Sequence, residues 1–291
     1  MNLQQLRYLR ETIRNDFNLT TAAAVLFTSQ PGISKAIREL EEELGVVIFR
    51  RQAKRLLGLT DEGVEIAKVA ERLLTEADNL KRVATEFKQG DEGELQIAAT
   101  HTQARYTLPA AIMALKKQFP KVTIRIRQGT PSQIVTMLKQ GEADFGIATE
   151  ALSTDLELTA EKLFSWQHVV IAPPGHPILS ETSVTPTSIV NYPIVTYGKE
   201  FAGRSRIDAV FAAQGLTPNV VLEASDSDVI KTYVALGLGL GVVSELAVEK
   251  GAPSLAFKPT LFDNQTFVAY RKGRLLKRFE QLFIKSLADQ Q

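Results

Sequence analysis

The apolar residues of the first 45 positions recur at helical spacing and predict three short helices. Leu3, Leu6 and Leu9 form one face of a first amphipathic helix, and residues 22–26 form a second, apolar helix. The third helix carries apolar residues at positions 33, 37, 40 and 44 and ends at Gly45. Pro31 suits its first turn, because the missing N–H of proline would have no partner there.

The second and third helices, joined by a tight turn, indicate a helix-turn-helix whose last helix can lie in the DNA major groove. Hydroxyls, amides and cations near the start of that helix can reach base edges and phosphates. An ordinary helical hairpin on a domain surface is the alternative interpretation. The candidate DNA-binding positions on this helix are Ser29, Gln30, Pro31, Ser34, Lys35 and Arg38.

Two strand-like runs, residues 46–49 and 56–59, flank a basic cluster and predict a wing. The cluster comprises Arg50, Arg51, Lys54 and Arg55, and no acidic residue lies between positions 44 and 60. Cations at the tip of a hairpin can contact the phosphate backbone or the minor groove. A solvated run of charge is the alternative, but the position directly after the helix-turn-helix favours DNA.

Residues 60–88 keep a seven-residue apolar repeat that is typical of a coiled coil. Ile66, Leu73, Leu80 and Phe87 form one row, and the alanines at 70, 77 and 84 form the other. At about 1.5 Å per residue, such a helix is roughly 40 Å long. We therefore expect a dimerisation helix, the alternative being a helix that packs on its own domain.

Strand and helix patterns alternate in the rest of the chain and predict parallel sheets covered by helices. The predicted strands are residues 94–99, 122–128, 145–148, 169–172, 193–196, 220–223, 242–243 and 267–270. The predicted helices are a segment ending at Phe119, residues 131–140, 204–214 and 228–236, and a last helix starting near Leu275. A pattern of this length suggests two α/β lobes that bind a ligand between them, at the carboxyl ends of strands.

The expected fold is a winged helix-turn-helix, a long linker helix, and a two-lobed α/β effector domain like that of periplasmic binding proteins. The predicted limits are residues 1–59, 60–90 and 91–291 for these three parts. Lobe I is expected over about 91–163 and 266–291, and lobe II over about 164–265.

Composition narrows the function classes further. The chain has 291 residues, of which 44% are hydrophobic and 23% charged, as in a globular protein. It contains no cysteine, which excludes disulfides, thiolate metal sites and cysteine nucleophiles. Neither a signal peptide nor a membrane span is evident, so we expect a cytoplasmic protein without membrane contact.

The order of these parts resembles the LysR-type transcriptional regulators. The stretch AAAVLFTSQPGISKAIRELEEELGVVIFRR is similar to the DNA-binding domain of that family. The segments THTQARYTLP and ADFGIATEAL, with QGTPSQI, FAGRS and DSDVIKTYVALGLGLGVV, resemble the CysB subgroup, which controls sulfur assimilation. The resemblance implies a homodimer or homotetramer that binds operator DNA and responds to a small anion such as sulfate, thiosulfate or O-acetylserine.

The resemblance also implies an effector site of uncharged donors. Thr100, Thr102 and Gln103 follow a predicted strand, and Thr149 ends another, so both groups meet at one edge of the sheet. Hydroxyls, an amide and backbone N–H groups suit an oxyanion, although threonine is also a common helix cap. The FAGRS motif adds Gly203, and it carries Ala202 where the subgroup usually has threonine, so one hydroxyl contact is missing.

Three other functions compete with this interpretation. A solute-binding protein would share the two lobes, but residues 1–90 and the missing signal peptide argue against it. A LysR-type regulator of another pathway would share the fold. An enzyme is disfavoured because His101, His168 and His176, the only histidines, have no Ser/Asp set and no metal-ligand spacing. We therefore expect no catalytic residue, no metal and no cofactor.

Overall fold

A computed structural model describes residues 1–53, 55–89, 91–199, 201–249, 251–252, 254–256 and 264–289. The chain forms two compact units. One consists of Met1–Lys88 and Gly273–Leu275, and the other of Gln89–Lys272 and Leu276–Gln291.

Three helices and their shared apolar core open the first unit, as predicted. Leu9 of the first helix and Ile33 and Leu40 of the third helix are fully buried in this core. The third helix ends at Gly45, whose φ of +69° is readily adopted by glycine. The helices are α1 (Leu3–Arg14), α2 (Leu19–Val25) and α3 (Gln30–Leu44).

The predicted wing exists, but its first strand was placed too early. The strands are β1 (Phe49–Gln52) and β2 (Arg55–Leu59), paired antiparallel with Gln52 opposite Arg55. Residues 46–48 precede the first strand, and of the run at 46–49 only Phe49 pairs, opposite Leu59. Ile48 and Phe49 are fully buried in the helical core, whereas Val47 is exposed. The basic residues therefore lie within the strands and not only at the tip.

The long helix α4 (Asp61–Gln89) follows, with the Thr60 hydroxyl accepting a hydrogen bond from the amide of Gly63 at 2.9 Å. Its apolar repeat serves two purposes. Ala70 is buried and Ile66 partly buried against the core of α1–α3, together with Leu74, so the first part of the predicted dimer seam packs on its own domain. Leu80 and Phe87, in contrast, are 74% and 89% exposed.

The described residues of the second unit form two five-stranded sheets of similar topology. The sheet of lobe I has the order β4-β3-β5-β12-β6, in which the first three strands are parallel and the last two antiparallel. Helix α11 packs on α6, and its buried Phe279 and Phe283 belong to the core of this lobe. The elements of lobe I are β3 (Gly93–Ala99), α5 (His101–Tyr106), α6 (Leu108–Gln118), β4 (Val122–Gln128), α7 (Pro131–Gln140), β5 (Phe145–Ala148), β6 (Leu158–Trp166), β12 (Asn264–Arg271) and α11 (Arg278–Ala288).

The sheet of lobe II has the order β11-β7-β10-β8-β9. Strands β9, β8 and β10 are parallel, and β7 and β11 complete the sheet in antiparallel pairing. The chain enters this lobe through Gln167, between β6 and β7. The elements are β7 (His168–Ile171), α8 (Pro186–Ile189), β8 (Ile194–Tyr197), α9 (Ala202–Ala212), β9 (Val220–Ala224), α10 (Ser227–Ala235), β10 (Leu240–Ser244) and β11 (Ser254–Ala256).

Several element predictions in this unit need correction. The single helix predicted before Phe119 is two helices, because Pro109 cannot continue the first and lies in the opening turn of the second. Strand β6 was missed, since its buried residues at 158, 163 and 166 follow no period of two. The last helix begins at Arg278, later than expected. Among the described residues, no helix is both long and apolar enough to cross a membrane.

Candidate functional site

The exposed face at the start of α3 carries most of the predicted DNA-binding residues. Ser29 caps the helix, with its hydroxyl accepting the amide of Gly32 at 3.3 Å. Helical spacing places Ser34, Lys35 and Arg38 together, opposite the buried Ile33, Ile37 and Leu40. Pro31, Lys35 and Arg38 are exposed, while Gln30 and Ser34 are half-buried.

Phe27, in the turn between α2 and α3, is a feature that the sequence analysis missed. Its side chain is 98% exposed, and its φ of +50° is strained for an aromatic residue. A large apolar ring exposed to solvent beside α3 could contact deoxyribose or a thymine methyl group if α3 enters the major groove. The signal in the sequence was an aromatic residue directly before Thr28 and Ser29.

The arginines of the wing differ in how much they are engaged by the protein. Arg51 pairs with Glu41 of α3 at 2.6 Å, and the other oxygen of Glu41 accepts the amides of Ile48 and Phe49. Arg51 therefore anchors the wing to α3. Arg50 and Arg55 are exposed, and Lys54 lies outside the described residues. Arg50 and Arg55 are thus the stronger candidates for phosphate contact.

Thr100 and Thr149 meet at the carboxyl edge of the lobe I sheet, as predicted. Strands β3 and β5 pair Ala99 with Ile147, and the amide of Thr100 donates to the carbonyl of Ile147 at 3.3 Å. The hydroxyl of Thr100 caps no helix amide. The hydroxyl oxygen of Thr149 is buried and has no hydrogen-bond partner within the described residues. Both hydroxyls are therefore available to a ligand.

Gln103 is buried, and both ends of its side-chain amide make hydrogen bonds within the protein. It is 1% exposed, and its Nε2 donates to Oγ1 of Thr266 at 3.0 Å while its Oε1 accepts from Thr107 at 2.7 Å. Trp166 Nε1 donates to the same Thr266 oxygen at 3.2 Å. Gln103 is thus part of a buried polar network that joins α5 to β6 and β12. Thr102, by contrast, is half-buried.

On lobe II, Ala202 and Gly203 form the first turn of α9. Phe201 precedes them and supplies no side-chain cap, so the first backbone N–H groups of this helix lack that partner. A Cβ placed on Gly203 would lie 3.1 Å from Nε2 of His168. The side chain of Ala202 lies outside what is described.

His168 is a buried histidine that the sequence analysis assigned no role. It is 6% exposed, and burial, reinforced by the positive charge of Arg206, lowers the pKa of His168 to about 4. The imidazole is therefore neutral at pH 7. Its Nε2 is buried without a hydrogen-bond partner among the residues that are described.

A cluster of charged residues connects α5 of lobe I to α10 of lobe II. Asp228 of α10 accepts from the Tyr106 hydroxyl at 2.7 Å and pairs with Arg105 at 2.7 Å and Lys231 at 2.9 Å. Burial opposes ionisation, but the hydrogen bonds from Tyr106 and Lys231 and the nearby cations hold the pKa of Asp228 below its usual value. The cluster therefore pairs one carboxylate with two cations and links α5 to α10.

One arrangement of metal-binding groups arises from tertiary contact and could not be found from sequence spacing. Ligand atoms of His101, Asp226 and Asp228 lie within 4.8 Å of one another. Arg105 and Lys231 already neutralise Asp228. Two cations this close oppose a divalent ion, so these residues fit a salt-bridge cluster better than a metal centre.

Comparisons with known proteins match both parts of the chain. Residues 3–64 match the model of the bacterial regulatory helix-turn-helix protein, lysR family, and residues 88–291 match the LysR substrate binding domain. The HTH-type transcriptional regulator CysB of Burkholderia cenocepacia is 47% identical, over 99% of this chain and 93% of that protein. The HTH-type transcriptional regulator Cbl of Escherichia coli is 48% identical, over 98% of this chain and 92% of that protein.

A solved structure agrees with the fold of the second unit. The crystal structure of the cofactor-binding domain of the Cbl transcriptional regulator matches with a TM-score of 0.62 at 42% sequence identity. The match covers 69% of this chain and 90% of that one.

Proposed function

The chain belongs to the LysR family of bacterial transcriptional regulators, and we propose that it controls sulfur assimilation genes in response to a small anion. The observation that carries the proposal is full-length similarity to CysB and Cbl, which includes both the helix-turn-helix and the effector domain. The relatives are regulators by name, which supports a regulatory and not a catalytic function. Operator binding also supports a cytoplasmic location.

The proposed DNA-binding surface consists of the start of α3 and the exposed cations of the wing. Ser34 and Arg38 lie on the exposed face of α3, where they can read base edges in the major groove. Arg50 and Arg55 can neutralise phosphates, which contributes affinity without sequence preference. Arg51 supports this surface indirectly, through its ion pair with Glu41.

Substitutions can separate base reading from phosphate contact. Ser34→Ala should weaken binding to the operator by about 1–3 kcal/mol and leave random DNA unaffected, if Ser34 reads a base. Arg50→Ala should weaken both and reduce the salt dependence of affinity. Lys68→Ala, at an exposed lysine of α4, is the matched control. Fluorescence anisotropy that finds wild-type affinity in both Ser34→Ala and Arg50→Ala would exclude this surface.

The proposed effector is an oxyanion bound between the lobes. The free hydroxyls of Thr100 and Thr149 and the uncapped first turn of α9 support it, because all are neutral hydrogen-bond donors. A hydrogen bond to a charged ligand is worth about 1.5–3 kcal/mol. Sulfate, thiosulfate and O-acetylserine are the candidate ligands, with Thr102 and Gln103 as further proposed contacts.

Calorimetry can test the effector site directly. Thr100→Val should lower the affinity for the anion by roughly tenfold or more, because one hydroxyl donor is lost. Thr136→Val is the matched control, since Thr136 is exposed and its hydroxyl donates to the carbonyl of Ser132 in its own helix. If none of the three anions binds the wild-type protein, the proposed effector class is wrong.

Association of two or more chains is proposed to use the exposed part of α4. Leu73, Leu80 and Phe87 leave an apolar row on this helix with 42%, 74% and 89% exposure. A row of this kind supports pairing of two such helices into a dimer. A dimer would present two recognition helices to a two-part operator.

A further inference from the structure

His168 occupies a position where an unsatisfied polar atom faces the proposed effector site. It begins β7 directly after the chain crosses between the lobes. Its ring lies edge-on to Trp166, with centroids 5.2 Å apart, and next to Tyr197 at 6.3 Å. These contacts fix the orientation of the imidazole, so its two nitrogens have distinct surroundings.

The neighbours of His168 define which nitrogen carries the proton. Arg206 Nη1 donates to Oδ1 of Asn264 at 2.8 Å, and this fixes which end of the Asn264 amide is the oxygen. The amide nitrogen of Asn264 then faces Nδ1 of His168 at 3.1 Å. An amide nitrogen only donates, so Nδ1 must accept, and in a neutral imidazole the proton lies on Nε2.

The proton on Nε2 therefore belongs to a donor that the protein leaves unpaired. Nε2 is buried and has no acceptor in the part of the chain that is described. It lies beside Gly203, where an added Cβ would come within 3.1 Å. Buried N–H donors without an acceptor are rare in folded proteins, because each loses its hydrogen bond to water. The first turn of α9, which has eleven residues, offers backbone donors at the same place.

We propose that the Nε2–H of His168 donates a hydrogen bond to an oxygen of the bound effector. The inference rests on the proposed effector site and adds to it a residue and a selection rule. A neutral N–H accepts nothing, so it favours a ligand that presents an oxygen without a proton, such as sulfate, thiosulfate or a carboxylate. The Arg206–Asn264 pair acts as a positioning group, because it maintains the tautomer.

Nuclear magnetic resonance tests the tautomer without a ligand. Histidine labelled with ¹⁵N should give, for His168, the two-bond correlation pattern of a neutral ring protonated at Nε2. His168→Gln assigns the signal, since the chain has only three histidines. A pattern with the proton on Nδ1 would overturn the inference.

Ligand binding tests the contact itself. Calorimetry with sulfate, thiosulfate and O-acetylserine should show a loss of about tenfold or more in affinity for His168→Phe, which keeps a ring but has no donor. His168→Gln, whose amide can reach the position of Nε2, should recover a large part of that loss. His176→Gln is the matched control, because His176 packs on Tyr192 and bonds to the amide of Ile178 elsewhere in lobe II.

The outcomes distinguish a wrong role for His168 from a wrong effector class. If the wild type binds an anion and His168→Phe binds it equally well, only the role of His168 is wrong. If the wild type binds none of the three anions, the proposed effector class fails and the contact fails with it. Loss in His168→Phe with recovery in His168→Gln supports both.

Discussion

Replacing Thr266 with valine tests the buried network that joins Gln103 to Trp166. Thr266 is fully buried, and its hydroxyl oxygen accepts from Gln103 at 3.0 Å and from Trp166 at 3.2 Å. Valine has the same shape and no acceptor, so both donors lose their partner. An unsatisfied buried donor costs about 1–3 kcal/mol, which predicts a total destabilisation of roughly 2–6 kcal/mol.

Thr266→Ser is the matched control, because serine keeps the hydroxyl and loses only a methyl group. Its expected cost is about 1 kcal/mol. Trp166 is the only tryptophan, so its fluorescence reports on the network itself during urea unfolding of the full chain. If Thr266→Val unfolds at the same urea concentration as Thr266→Ser, the network does not stabilise this lobe as we argue.

Three further outcomes follow from the structure. The pKa of His168 is about 4 in the folded protein and about 6.5 in the unfolded chain, so between these values the unfolded chain binds an extra proton. The free energy of unfolding should therefore fall by up to about 3 kcal/mol from pH 7 to pH 4. Urea unfolding at a series of pH values should show a smaller fall in His168→Gln. Leu80→Asp should weaken self-association in sedimentation, whereas Lys81→Asp, at an exposed neighbour, should not. Ala202→Thr should bind sulfate more tightly in calorimetry, and unchanged affinity would contradict the missing-hydroxyl argument.

Much of the helix-turn-helix could be predicted from local pattern alone. Apolar residues at helical spacing, Pro31 in a first turn and Gly45 after a last turn act within a few residues of the chain. The wing was harder to place, because the apolar run at 46–49 resembles a strand by composition. The start of the strand depends on Glu41 of α3, whose carboxylate accepts the amides of Ile48 and Phe49.

The candidate effector site, too, could be predicted from the sequence only in part. Thr100 and Thr149 could be placed together from sequence, because parallel strands end at a common edge. The burial of Gln103 could not, since its partner Thr266 is 163 residues away along the chain. His168 had no local signal either, and its significance comes from Asn264, Arg206 and Gly203, which are distant in sequence.

Selection of fragments from the organism's own genome by the purified full-length protein tests the central claim most directly. Fragments would be bound, washed and sequenced with and without added sulfate, thiosulfate or O-acetylserine. A sulfur-responsive regulator should enrich segments upstream of sulfur transport and assimilation genes, and at least one anion should change that enrichment. Enrichment upstream of unrelated genes, or none that an anion alters, would contradict the account.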